Sequence, residues 1–244
     1  MLRDSIIDIV SKGFIRGECN RATLYYSGRD LKCEYVSDDR EVVGVVTAEK
    51  FNGGNNFIGN KKVGIPDVDD FLKKVKTLGK EITIETKDEG RNGKFFIMKD
   101  NIMTMRYILQ PENMLQKFPK FKDQYFDRSP NQLIIDSVFN TRMYKSSGAI
   151  KDCKYLFIQS NKEVIYLTLS QKEDFNTGIQ FEYELKTHGY EVDPKKFDIK
   201  KIRHILNNNS KMDGGILEIH SGGILVIEFY SDLIKNRCYV VNAR

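Results

Sequence analysis

The chain has 244 residues, 40% of them hydrophobic, and a formal net charge of +5. That hydrophobic share is enough for a packed core and excludes wholesale disorder, and no apolar run reaches the length of a membrane span. The opening MLRDSIIDIV mixes acidic residues into its apolar ones and has no small-residue cleavage site, so a soluble cytoplasmic protein is expected.

In chain order, residues 4–13 have helical spacing, with Ile6, Ile9 and Val10 on one side. Strand-like runs follow at 22–27, 31–37 and 42–47, then a flexible loop at Phe51–Asn60 (FNGGNNFIGN) and a short strand near 61–65. A helix is predicted over 67–78, with Asp67 as its N-cap, Asp69 and Asp70 in the anion-favouring first turn, and Gly79 ending it. Three strands near 81–87, 94–99 and 102–109 close this half. Residues 110–128 hold two prolines and no periodicity and read as a surface linker. The plan then repeats: a helix within 136–148, strands at 154–160, 163–170 and 178–186, a helix at 198–210, and strands near 215–220, 224–230 and 236–242. The predicted division is residues 1–109, a linker at 110–128, and residues 129–244. The fold class is α+β, two similar domains of antiparallel strands with two helices on one side of each.

The repeat is also visible residue by residue. Ile6–Val10 has a counterpart in Ile134–Val138, and ATLYYSGRDLKCEYVS (22–37) lies over YLFIQSNKEVIYLTLS (155–170) without a gap. Asp67 matches Asp198, Asp100 matches Asp232 and Tyr107 matches Tyr239.

Opposite the apolar stripes lie cations. The segment 67–80 offers Lys73, Lys74, Lys76 and Lys80; 198–211 offers Lys200, Lys201, Arg203 and Lys211; the helix within 136–148 offers Arg142 and Lys145, followed by Lys151; the first helix offers Lys12, then Arg16. Singly, each is an ordinary wet helix face. Four equivalent helices with the same sign make a surface suited to phosphate. No aromatic residues interleave for base stacking and no recognition-helix or zinc-finger pattern reads base edges, so sequence-independent contact with double-stranded DNA backbone is expected.

Two similar halves with paired strands and basic helices, joined by a linker, resemble the DNA polymerase sliding clamps, a family that includes proliferating-cell nuclear antigen and the clamps of T4-like phages. The end of the chain carries the resemblance furthest. Residues 195–244 read as a short strand, a helix and three strands; Tyr239–Arg244 is similar to the family's terminal Y-x-L-A-P strand, and Gly223–Phe229 to its P-L-x-V-E-Y strand. Two departures are the basic net charge and the glycine-rich 50–60 stretch; the small size and the lack of an acidic tail look more like a viral clamp than a cellular one. The resemblance implies a non-enzymatic processivity factor that closes as a homotrimer around duplex DNA and partners a DNA polymerase and a clamp loader. It implies subunit contacts through edge strands 102–108 (Ile102, Met103, Met105, Tyr107) and 178–185 (Ile179, Phe181, Tyr183, Leu185). It also implies a partner-peptide pocket, for which Leu115, Phe118, Phe121 and Tyr125 on the linker, with Ile224 and Val241, are the candidates. The other readings are a monomeric DNA-binding processivity factor of the same fold and a structural or adaptor protein with no DNA role.

Enzyme signatures fail individually. Gly54 to Gly59 followed by Asn60-Lys61 misses the P-loop pattern, which needs Lys directly after the second glycine and then Ser or Thr. No G-x-S-x-G elbow occurs, and no carboxylate pair can be named as an acid–base couple. Cys19, Cys33, Cys153 and Cys238 lie far apart and read as free thiols, and His188, His204 and His220 form no metal pattern, so no metal or cofactor is expected.

Overall fold

The computed structural model describes residues 2–15, 18–52, 57–58, 62–90, 93–185 and 189–243. The chain forms two compact units: the first runs to Phe118 and takes in Asp232–Asn236, and the second holds Pro119–Ser231 and the residues from Arg237 onward.

In the first unit, α1 (Leu2–Gly13) precedes β1 (Ala22–Tyr26), β2 (Leu31–Val36), β3 (Val42–Ala48) and β4 (Lys62–Ile65). These strands pair antiparallel in the order β4-β1-β2-β3, with Leu24 opposite Cys33 and Val63. The β1–β2 turn closes when Ser27 N–H donates to the Asp30 carbonyl at 3.0 Å, and Gly28 sits at φ +84°, a left-handed conformation most side chains resist. Helix α2 (Val68–Thr77) follows, then β5 (Thr83–Asp88), β6 (Lys94–Lys99) and β7 (Thr104–Ile108) in the antiparallel order β5-β6-β7. Asp67 does cap α2, accepting from Asp70 N–H at 2.9 Å. The stop differs from the expected glycine cap: Leu78 turns to extended backbone, where its side chain is buried, and Gly79 N–H donates to Asp100 Oδ2 at 2.6 Å.

The core of this unit is aromatic. Phe57 stacks on Phe96 at 6.1 Å and meets Tyr26 edge-on at 5.7 Å; Phe71 meets Tyr107 at 5.1 Å. Such pairs add about 0.5–1.5 kcal/mol each beyond the area they bury. Phe51, Phe57 and Ile58 are all buried, so these three residues of the stretch read as a flexible loop belong to the core; Gly54, Gly59, Asn60 and Lys61 lie outside the described residues.

The second unit holds β8 (Asn131–Ile135), α3 (Ser137–Ala149), β9 (Tyr155–Ser160), β10 (Val164–Ser170), β11 (Ile179–Glu184), β12 (Val192–Asp198), α4 (Ile199–Asn208), β13 (Gly214–Ile219), β14 (Ile224–Tyr230) and β15 (Ile234–Val241), whose first residues belong to the first unit. One sheet runs β11-β10-β9-β12; β8, β13 and β14 pair in that order in another. The β9–β10 hairpin matches β1–β2, as the ungapped repeat predicts. Asp198 caps α4 by accepting from Lys200 N–H, as Asp67 caps α2. Ile199, Ile202, Ile205 and Leu206 are buried, worth at most about 1.5–3 kcal/mol each. One match fails: Ile6 and Ile7 are helical in α1, whereas Ile134 and Ile135 lie in β8, a strand for which the first unit has no counterpart among the described residues. Each unit otherwise runs helix, four strands, helix, three strands.

Candidate nucleic-acid interface

Helix α2 packs beside α1 and buries Val68, Phe71, Leu72 and Val75. The opposite face presents Lys73, Lys74 and Lys76, with Lys80 exposed just beyond. Two of these carry acidic neighbours one turn earlier, with Lys73 Nζ 2.5 Å from Asp69 and Lys74 Nζ 2.6 Å from Asp70. Exposed pairs of this kind are worth less than about 1 kcal/mol, so an incoming phosphate can displace either carboxylate. Lys74 also lies 5.3 Å above the Tyr107 ring.

Helix α3 packs beside α4. Phe139, Met143 and Ser147 form the narrow buried stripe of α3, leaving Arg142 and Lys145 exposed on its outer side and Lys151 exposed after it. On α4, Lys200 is exposed and Arg203 half-buried three residues on, its guanidinium 5.5 Å from the Tyr144 ring; the Tyr144 hydroxyl donates to the Arg203 carbonyl at 2.8 Å. Lys211 is exposed beyond the helix.

Two predicted cations are elsewhere. Lys201 is 3% exposed, because it precedes buried Ile205 by one turn and so shares its face. Lys12 is 5% exposed and bonded to Asp8 at 2.8 Å, because it follows buried Ile9 by three positions. Lysine as a residue type suggests an outward position, and in both cases the helical angle overrides it. Arg16 lies outside the described residues.

Both strands singled out for subunit contacts are sheet edges, β7 beside β6 and β11 beside β10. Ile102 is 96% exposed in the β6–β7 turn and Met103 is also exposed; Met105, Ile179, Phe181, Tyr183 and Leu185 are half-buried. Tyr107 is a correction. It is 4% exposed, a core residue whose hydroxyl donates to the Asp67 carbonyl at 2.7 Å, and burial pushes its phenol well above the usual range. The sequence reading missed Ile108, which is 69% exposed on the β7 edge. Strand alternation signals it, since Ile108 follows inward-facing Tyr107.

The pocket candidates divide. In the first unit, Leu115 packs over Gly64, where a Cβ would stand 2.4 Å from Leu115 Cδ2, and Phe118 is half-buried. In the second, the rings of Phe121 and Tyr239 are 4.9 Å apart, and Phe126 lies 6.0 Å from each. Tyr125 and Val241 remain accessible to different degrees, but Ile224 is buried in β14 and lines no surface. Behind the rings is a polar latch with no sequence motif. Asp127 accepts from the Tyr190 hydroxyl at 2.6 Å, from Ser221 N–H at 2.6 Å and from the Ser221 hydroxyl at 2.8 Å, while its own N–H donates to His220 Nδ1 at 2.9 Å. Burial alone would raise the Asp127 pKa; the donated bonds from Tyr190 and Ser221 outweigh it and hold the carboxyl below the usual range. Burial likewise pushes the His220 imidazole down, against the pull of Glu218 and Asp127.

A cavity of about 540 Å³ opens in the second unit, lined in part by Leu133, Ile134, Val138, Phe139, Tyr183 and Leu185. Among the described residues no cluster of His, Cys, Asp or Glu is arranged to hold a metal ion, and no helix is long and apolar enough to cross a membrane.

This order of strands and helices, in two units, is the fold of the sliding clamps of the proliferating-cell nuclear antigen type. The chain is similar over its whole length to that antigen from A. fulgidus, solved with the C-terminal region of FEN-1 bound (TM-score 0.73, 14% identity, 100% of this chain and 97% of that one). It is similar to the Entamoeba histolytica antigen (TM-score 0.70, 14% identity, covering 99% and 96%) and to the PCNA2-PCNA3 complex from Sulfolobus tokodaii (TM-score 0.69, 11% identity, covering 98% and 96%). No protein-family model and no curated protein matches the sequence.

Proposed function

We propose that this chain is a sliding clamp subunit: copies close into a ring around duplex DNA and tether a polymerase and other replication proteins. The carrying observation is the full-length likeness to clamp structures, joined to exposed cations on three of the four helices that would line such a ring. Lys73, Lys74 and Lys76 on α2, Arg142 and Lys145 on α3, and Lys200 and Arg203 on α4 hold the phosphates, with Lys80, Lys151 and Lys211 flanking. No side chain reads base edges, so the contact is independent of sequence, and a ring held this way translocates by exchanging one phosphate for the next. The chain contributes no catalytic chemistry. Subunits join edge to edge through β7 of one copy and β11 of the next, and two units per copy make the ring a homotrimer. Phe121, Tyr125, Tyr239 and Val241 of the second unit receive a short hydrophobic peptide from partners, a reading supported by the likeness to the A. fulgidus protein, which was solved with the C-terminal region of FEN-1 bound.

The test is retention on DNA. Protein loaded on circular duplex should remain bound at high salt and be released when the circle is cut. Equal loss from circular and linear DNA, with the mass of a single chain in solution, would leave a charge-held monomer instead; no DNA retention in any form would sink both.

A further inference from the structure

The main chain of the two free edges fixes how they can meet. Leu109 N–H donates to the Lys94 carbonyl at 2.9 Å, and Asp100 N–H donates to the Met103 carbonyl at 3.0 Å. With Met105 opposite Met98 and Tyr107 opposite Phe96, the main-chain groups of Met103, Met105 and Tyr107 therefore face β6, and those of Thr104, Arg106 and Ile108 face outward. On the other edge, Leu185 N–H donates to the Glu163 carbonyl at 2.7 Å, with Tyr183 opposite Ile165 and Phe181 opposite Leu167. The groups of Gln180, Glu182 and Glu184 thus face outward.

We propose that a second copy of this chain docks in one antiparallel register, with Thr104 opposite Glu184, Arg106 opposite Glu182 and Ile108 opposite Gln180, and that this register delivers Met103 to the 540 Å³ cavity of its neighbour. The proposal rests on the ring reading and adds its alignment and its anchor. This register alone pairs every outward residue of β7 with one of β11, giving about six intermolecular main-chain hydrogen bonds. Sliding by two residues leaves an outward residue unpartnered at the strand ends and sets Ile108 against Glu182, or Arg106 against Gln180. Sliding by one turns every side chain to the wrong face. Antiparallel pairing continues the pattern of both parent sheets.

Side chains agree with the alignment. The cation of β7 meets an anion, and no like charges are opposed. Within one copy Arg106 lies 3.5 Å over Phe95 and reaches Glu89 at 3.0 Å with Nη2, an exposed pair weak enough to be exchanged for Glu182 of the neighbour. On the other face, Met105 comes opposite Tyr183 and Met103 opposite Leu185. Tyr183 and Leu185 both line the cavity, and exposed Met103 is a flexible apolar side chain of the kind that fills irregular space.

The experiment uses the full chain with Cys153→Ser, since Cys153 is, among the described residues, the one free thiol not buried. The parent is first weighed in solution. Met103→Cys with Leu185→Cys should join copies into a covalent ring under mild oxidation, while Met103→Cys with Tyr183→Cys, a shift of two residues, should not. Arg106→Glu and Glu182→Arg should each weaken assembly roughly tenfold or more, and the two together should restore it. An oligomeric parent in which the shifted pair links preferentially, or in which the double reversal fails to restore assembly, overturns the register and leaves the ring. A parent that stays a single chain overturns both.

Discussion

Lys200 and Lys201 are adjacent in the chain and have opposite fates in α4, which makes them a sharp test of which cations would meet DNA in the proposed role. Lys200 is exposed and Lys201 is buried. Removing one cation that neutralises a phosphate lowers the slope of log affinity against log salt by about 0.9. Lys200→Ala should therefore reduce the slope by up to about 0.9 per engaged copy and leave stability within about 0.5 kcal/mol. Lys201→Ala should leave the slope unchanged and lower stability by about 1–3 kcal/mol, because a buried stem is removed. Neutralising Arg142, Lys145, Lys200 and Arg203 together, the outward cations of α3 and α4, should lower the slope by about 3.6 per engaged copy. Between roughly 50 and 200 mM salt that is about 150-fold less loss of affinity than the parent suffers. The assay is fluorescence anisotropy of a labelled short duplex across that salt range, paired with urea unfolding. A slope that drops for Lys201→Ala while Lys200→Ala stays parental would refute the assignment of faces.

Phe57→Ala should cost about 3–5 kcal/mol in urea unfolding, since the ring is fully buried between Tyr26 and Phe96. Tyr107→Phe keeps the ring but deletes the bond to the Asp67 carbonyl, for a loss of about 1 kcal/mol in the same assay. Asp127 has a folded pKa below its unfolded one, so its contribution is present above the ordinary carboxylate pKa of about 3.9 and is lost as pH falls through the folded value. His220, also depressed, gives stability that is full above about pH 6.5 and declines as pH falls below it. Thermal melts from pH 8 to 3 should therefore fall in two stages, with Asp127→Asn flattening the lower one.

Much of the architecture was legible because local signals agree with the fold. The ungapped match of 22–37 to 155–170 marks two real hairpins, and Asp67 and Asp198 mark two real helix starts, since capping depends on residue type and position alone. The Ile6–Ile134 match misleads because a short apolar run fits either a helix or a strand. Phe57 was hidden because glycine and asparagine around it dominate the loop signal, although a single large ring suffices to fix a loop to a core. Lys12 and Lys201 share the buried stripe although residue type points them to solvent, because a long aliphatic stem can lie on that side as well. Asp127, Tyr190, Ser221 and His220 come together only through long-range folding, so no spacing in the chain announces them.

The carboxylates of Asp69 and Asp70 give Lys73 and Lys74 resident counterions on the same helix. A phosphate arriving there evicts a tethered group instead of a free salt ion, so little translational entropy is released. In the proposed role these two contacts would add little net grip on duplex. Low friction at such contacts would let the proposed ring drift along DNA while topology, not adhesion, kept it on.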